Sequence, residues 1–349
     1  MKASLLALFL TATTVLAQQQ TGKFGEKVDV NFVLLDAVVT DSRGNQILGL
    51  DKDDFLIKEN GVPQQVDSVD YFTNRRLLND PESKAPFKVE RVHEQRYFVF
   101  FFDKPGDTGA FFARLSLARN GVKDFIKNDM KPTDLAAVVA HDVRLKIFSD
   151  FTANKQQLER AVDDTAMWGR GITSSNLLAD APSILRGSSD RLVDRTGNVY
   201  EALQLLGDRM RSIHARKNIV LFSVGIHEPG EEIRGGMIVN QSQYYDPMIR
   251  ALNRADVTVY PVSLIEDPNQ PPFIHQTLER IAGDTNGEYF RFNTSFSPAL
   301  RRIDKMSNGY YLIGYYTQPK SGSGFQKVDV AVKNPEFRVR ARQGYSYGD

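Results

Sequence analysis

The chain has 349 residues, 41% hydrophobic and 25% charged, the make-up of a globular protein long enough for two domains. Its formal net charge of +1, with Lys and Arg scattered and almost matched by Asp and Glu, provides no overall field for nucleic acid or an anionic membrane. The absence of cysteine excludes disulfides, zinc–thiolate sites, thiol nucleophiles and redox motifs. At the start, Lys2, an apolar run over 5–10 and Val15-Leu16-Ala17 before Gln18 read as a signal peptide over residues 1–17. That run is too short and too broken by threonine to span a bilayer, and no cysteine follows it to carry a lipid. The mature chain is therefore expected outside the cytoplasm, periplasmic or secreted, with no transmembrane segment.

From residue 28 apolar and polar residues alternate, which assigns Val28, Val30, Phe32 and Leu34 to the buried face of a strand. Turn residues fill 41–45, apolar positions return at Leu48, Leu50, Phe55 and Ile57, and Asn60-Gly61 marks a tight hairpin. Val66, Val69, Tyr71 and Phe72 complete an N-terminal β module over 18–73. The polar stretch 74–92, with Pro81 and Pro86, reads as a linker.

The pattern changes at 93. Residues 97–102 are continuously apolar and end at Asp103, as in a strand buried on both faces. Helical periodicity covers 111–128, followed by a buried strand over 135–140 and a short one over 144–148. Further helices are expected over 156–165, 199–213, 244–255, 277–283 and 298–306. Strands are expected over 218–224, 257–264 and 288–292. The strands over 135–140 and 144–148 are joined too briefly for a parallel crossover, so they must pair antiparallel. The pattern predicts an α/β domain over 93–308: a doubly wound, mostly parallel sheet with one antiparallel edge strand and helices on both faces. Period two returns over 309–349, with 321–324 read as a flexible hairpin tip. Neither β segment is large enough to bury a core alone, so the two chain ends are expected to share one β-sandwich-like module.

Several stretches resemble one family. Leu34-Leu35-Asp36-Ala37-Val38-Val39-Thr40-Asp41, then Gly49-Leu50-Asp51-Lys52-Asp53-Asp54-Phe55 and Glu59-Asn60-Gly61-Val62-Pro63-Gln64, are similar to the leader module of the von Willebrand factor A-related proteins of Acidobacteria. Ile281-Ala282-Gly283-Asp284-Thr285-Asn286-Gly287-Glu288-Tyr289-Phe290 resembles that family's last helix-to-strand step. Tyr310-Tyr311-Leu312-Ile313-Gly314-Tyr315-Tyr316 and Val339-Arg340-Ala341-Arg342-Gln343-Gly344-Tyr345 resemble its closing strands. The resemblance spans nearly the whole mature chain and is weakest over 167–196. It implies a von Willebrand factor A-like fold and a protein-binding role.

The same resemblance implies a divalent ion held by Asp-x-Ser-x-Ser after the first strand of the sheet, a Thr from a later loop and an Asp after the fourth strand. A magnesium ion wants an octahedron of oxygens. Asp103 takes the first position, Pro105 replaces a hydroxyl ligand, and Asp107, with Thr108 beside it, stands where the second serine would be. Thr173 is the candidate loop threonine. After the fourth strand, Ser223-Val224-Gly225-Ile226-His227-Glu228 holds no Asp, and Ser223 and Glu228 are out of register. Lys104 adds a positive charge nearby. The metal candidates are thus Asp103, Asp107 and Thr173, in a degenerate site expected to hold no cofactor or only weakly bound Mg2+. The competing reading makes Asp103 a capping or buried, hydrogen-bonded residue.

No catalytic constellation emerges. Residues 344–348 fit Gly-x-Ser-x-Gly around Ser346, but a nucleophile elbow needs a strand-to-helix turn with Asp and His following, and only Asp349 remains. The five histidines (93, 141, 214, 227 and 275) show no metal-ligand spacing, and His141-Asp142 reads as a polar turn. Trp168 is either a binding anchor or packing over the sheet edge. The expected function is a non-enzymatic protein-binding module that meets a protein partner, with the cell envelope the place to look for it, and no nucleic acid. The alternatives are a metal-dependent hydrolase with its site in 167–196 and a purely structural envelope component.

Overall fold

The computed structural model describes residues 31–73, 95–104, 111–166, 171, 182–185, 196–213, 215–226, 232–234, 237–240, 243–265, 272–291, 293–318, 321–322 and 324–347. In it the apolar run becomes β5 (Tyr97–Asp103), buried along its whole length. Successive side chains of a strand point to opposite faces, so Tyr97, Val99 and Phe101 enter one core while Phe98, Phe100 and Phe102 enter another. Each core needs a helical layer to close it. Against the second lie α1 (Phe112–Asn128), α2 (Lys155–Asp164) and α6 (Ser297–Met306). Against the first lie α3 (Val199–Met210), α4 (Tyr245–Arg254) and α5 (Pro272–Asp284).

Beside β5 run β6 (Leu135–His141) and β8 (Lys217–Ser223), both parallel to it, with β11 (Val257–Ser263) parallel beyond β8. Beyond β6 lies β7 (Leu145–Thr152), antiparallel to it through two register shifts. The turn between β6 and β7 leaves no room for a crossover, which fixes that direction. The expected third strand over 144–148 is corrected in length: its pairing with β6 carries it to Thr152. The expected strand over 288–292 shrinks to a single parallel bridge between Val262 and Phe290. Two short paired strands, β9 (Glu232–Arg234) and β10 (Met237–Asn240), were not legible in the sequence.

The chain ends form two further sheets. One has the order β14-β1-β12-β4, from β1 (Asn31–Thr40), β4 (Val66–Thr73), β12 (Gly309–Thr317) and β14 (Arg338–Ala341). The other has the order β15-β13-β2-β3, from β2 (Phe55–Glu59), β3 (Val62–Gln64), β13 (Gly324–Val332) and β15 (Gly344–Tyr347). Asn60 and Gly61, at φ 48° and 83°, make the β2–β3 turn, as Asn-Gly in a hairpin predicts. N- and C-terminal strands interleave in both sheets, and one apolar core lies between them. Glu59, buried in this core, accepts hydrogen bonds from the hydroxyls of Tyr315 (2.9 Å), Tyr345 (3.2 Å) and Thr317 (3.2 Å), which satisfies a carboxylate that would otherwise be costly to bury.

Two expectations about these ends are corrected. The buried face of β1 is Val33, Leu35, Ala37 and Val39, whereas Phe32 and Leu34 are 44% and 56% exposed. Both faces of β1 are apolar, and the choice between them was made by the partner sheet; Phe32 rests instead against the Tyr316 ring, at 4.8 Å between centroids. Residues 321–324 are not a hairpin tip, because the strands they connect, β12 and β13, belong to different sheets.

Polar contacts join the sandwich to the α/β domain. Arg342 reaches Asp36 (3.2 Å) on β1 and Asp256 (2.8 Å) after α4, and Asn286 donates to Asp36 (3.0 Å). Arg340 and Arg302 both pair with Glu288, at 2.8 Å each. Burial works against the Asp36 carboxylate, but Arg342, Arg216 and the Asn286 amide outweigh it and hold its pKa below the usual carboxylate range. Among the described residues no helix is long and apolar enough to cross a membrane.

Candidate functional site

In an open α/β sheet, ligands gather at the carboxyl ends of the strands where the strand order reverses. Here the chain leaves β5 towards β6 and β7 on one side and returns to β8 and β11 on the other, so the reversal lies between β5 and β8. The last residues of those strands, Asp103 and Ser223, meet there: Ser223 Oγ donates to Asp103 Oδ2 at 2.6 Å. The same Oγ accepts from the Gly225 N–H at 3.1 Å. Gly225 has φ +118°, and a Cβ at that position would fall 2.8 Å from the Ile274 carbonyl oxygen. Glycine is what lets the chain turn this closely past α5.

On the other flank His141 closes β6. Its Nε2 lies 3.0 Å from the Thr196 carbonyl oxygen, which only accepts, so Nε2 carries the proton and donates. Nδ1 then faces Asp103 Oδ1 across 4.0 Å, too far for a hydrogen bond. Burial pushes the His141 pKa down, which keeps the ring neutral. Thr196 Oγ1 accepts from the Leu145 N–H (2.8 Å), tying this end of the 167–196 segment to β7. Lys104, next after Asp103, is buried; burial lowers its pKa, and Asp142 opposes that shift. Burial raises the Asp142 pKa, but the Lys146 ammonium at 2.6 Å and the Val143 N–H bring the carboxyl below its usual range.

Of the sequence-derived metal candidates, Asp103 stands at the reversal point, while Asp107 and Thr173 lie outside the described residues, as do Pro105, Thr108, Trp168, His227 and Glu228. Ser223, offered by the sequence as a residue able to approach the site though out of register, is in direct contact with Asp103. Counting positions after the strand could not show this, because the contact depends on where β8 ends relative to β5. A hard cation needs about six oxygen ligands. The described residues offer Asp103 and Ser223, already hydrogen-bonded to each other, with the buried Lys104 alongside, and no cluster of three carboxylate or imidazole groups occurs among them. Asp103 and Ser223 alone supply too few oxygens for a divalent ion, and the other two candidates, Asp107 and Thr173, lie outside the described residues. Asp103 and Ser223 do not make a nucleophile–base pair either, since Ser223 donates to a carboxylate rather than to an imidazole. Ser346 lies within β15, a strand that pairs along its length with β13, and not in an elbow.

No protein-family model matches the sequence, and no curated protein is similar to it. Solved structures are. The vWF domain of the type V pili tip protein Mfa5 from Porphyromonas gingivalis is similar at 12% identity and TM-score 0.42, covering 62% of this chain and 95% of that one. The fold is von Willebrand factor A-like. Strand order and the single antiparallel edge carry that statement. The human COPII-coat protein Sec24c is similar at 8% identity and TM-score 0.40, over 72% of this chain but only 43% of its own. Proximal thread matrix protein 1 from the mussel byssus, with a zinc-occupied MIDAS motif, is similar at 14% identity and TM-score 0.39, over 65% of this chain and 48% of its own. This chain thus spans less than half the length of the last two, and similarity at this level transfers no residue role.

Proposed function

We propose that this von Willebrand factor A-like chain is an extracytoplasmic, non-enzymatic module that binds a protein partner at the carboxyl end of its parallel sheet. We place it with the Acidobacteria-type von Willebrand factor A-related proteins, on the motifs at 34–64, 281–290, 310–316 and 339–345. The observation that carries the reading is the Asp103–Ser223 hydrogen bond: the carboxylate at the reversal point is held within the protein and has a buried lysine beside it. Such a surface meets its partner without a tightly held ion. The signal-peptide pattern over 1–17 supports the location, and the envelope is where the partner is expected.

Isothermal titration with Mg2+ or Mn2+ tests this reading, with no tight site as the expected result. One tight site abolished by Asp103→Ala would overturn it. Retention of an envelope protein that survives EDTA supports the binding role, whereas reproducible hydrolase turnover would favour a metal-dependent enzyme centred on 167–196.

A further inference from the structure

Away from Asp103, a cleft of about 810 Å³ opens where the two modules meet. Its walls are α4 and the end of α5 from the α/β domain, and β13 with β15 from the sandwich. Pockets of this size at module junctions are where ligands commonly bind. Arg250, Arg254, Arg280 and Lys327 line it, against the carboxylates of Asp246 and Asp284. Asp284 is already engaged, accepting from the Tyr245 hydroxyl (2.7 Å) with Arg280 3.5 Å away. Arg280 also lies 4.7 Å over the Tyr245 ring, so this pair and the ring hold one another in place. Arg250 and Arg254 are exposed; among the described residues neither forms a close ion pair, and Arg254 interacts with Asp208 only at longer range. Four residues apart on α4, they project from one helix face. Among the described residues, Lys327 pairs with the exposed Asp329 at 3.5 Å, a weak contact.

The cleft also has an apolar element. Phe325 is 55% exposed and, with Ile249, gives the cationic walls an apolar surface. Its ring lies across Gly344, where an added Cβ would fall 2.5 Å from Phe325 Cζ. The 10 residues of α4 give the cleft a wall about 15 Å long. An extended peptide rises about 3.3 Å per residue, so about five residues fit along it.

From this juxtaposition of exposed arginines, an exposed phenylalanine and a five-residue length we infer that the junction cleft binds a short acidic peptide segment carrying an apolar side chain. The inference goes beyond the reading of the Asp103 surface and does not depend on it, since the two share no residue. Glutamate or aspartate side chains meet Arg250 and Arg254, and the apolar side chain lies on Phe325.

The test is fluorescence anisotropy of the full mature chain with a labelled five-residue peptide of four glutamates around a central phenylalanine. Saturable binding that weakens with salt is expected. Arg250→Glu combined with Arg254→Glu should weaken it at least about tenfold, and Phe325→Ala by about threefold or more. Lys123→Glu, on α1 outside the cleft, should leave it unchanged; circular dichroism melts confirm that each variant is folded. No saturable binding by the wild-type chain would overturn the inference, as would equal binding by the folded double arginine variant. So would Phe325-dependent binding of oligogalacturonate without binding of the peptide, which would make the cleft a site for an anionic polysaccharide. Loss of peptide binding would leave the ion titration at Asp103 untouched, so the two readings fail separately.

Discussion

A chain that begins at Arg91 tests how the two termini depend on each other. That truncation removes β1, β2, β3 and β4, and with them Val33, Leu35, Ala37, Val39, Phe55, Ile57 and Val66 from the sandwich core. Tyr311, Ile313, Tyr315 and Val328, each no more than 2% exposed in the full chain, lose the layer that covers them. Burying one such side chain is worth about 1.5–3 kcal/mol, so uncovering four of them costs about 6–12 kcal/mol. That is comparable to the whole net stability of a domain, about 5–15 kcal/mol. The backbone loses as much: β12 pairs with β1 on one side and β4 on the other, so both of its neighbours disappear, and β13 keeps only β15. A lone two-stranded pair is marginal in water. Both cores of the α/β sheet are built without residues 31–73 and should persist. Limited proteolysis read by mass spectrometry should therefore show cutting or aggregation that begins after Gly309 and spares the α/β domain. If the truncated chain stays monomeric and residues 310–349 resist protease as they do in the full chain, the shared-core argument is wrong.

The remaining predictions concern single side chains. Asp36→Asn should lower stability by about 2 kcal/mol at neutral pH, because it removes the charge that Arg342 and Asn286 hold between the modules. The Asp36 pKa is depressed in the folded chain, so its contribution is fully present above the ordinary carboxylate pKa and is lost only as pH falls through the lower folded value; melts of both proteins should converge only below that value. A gap that stays constant into strong acid would show that the charge is irrelevant. Gly225→Ala should destabilise by about 1–3 kcal/mol in urea titrations, since its Cβ would meet the Ile274 carbonyl in a backbone conformation that alanine disfavours. Ser223→Ala should lose about 1–3 kcal/mol by taking a donor from the buried Asp103, and an unchanged urea midpoint would mean that this hydrogen bond contributes nothing to the fold.

What the sequence determined was whatever neighbouring residues decide among themselves. The continuous apolar run before Asp103 could only be a strand covered on both faces, and the short link after His141 could only be an antiparallel turn. Asn60-Gly61 prescribed its own turn geometry. The reversal point at the ends of β5 and β8 followed from the order of the elements, so Asp103 was visible as a candidate. Local pattern could not choose the buried face of β1, where Phe32 and Leu34 alternate with Val33 and Leu35 and period two supports either set. The partner sheet chose it. Nor could spacing bring Ser223 onto Asp103, 120 positions earlier, or Arg342 onto Asp36, because those distances depend on strand register. The junction cleft combines residues near 250 with residues near 325 and leaves no periodic mark at all. Local chain physics sets periods, turns and caps; which surfaces meet is set by burial between segments far apart in the chain, and only the tertiary structure decides that.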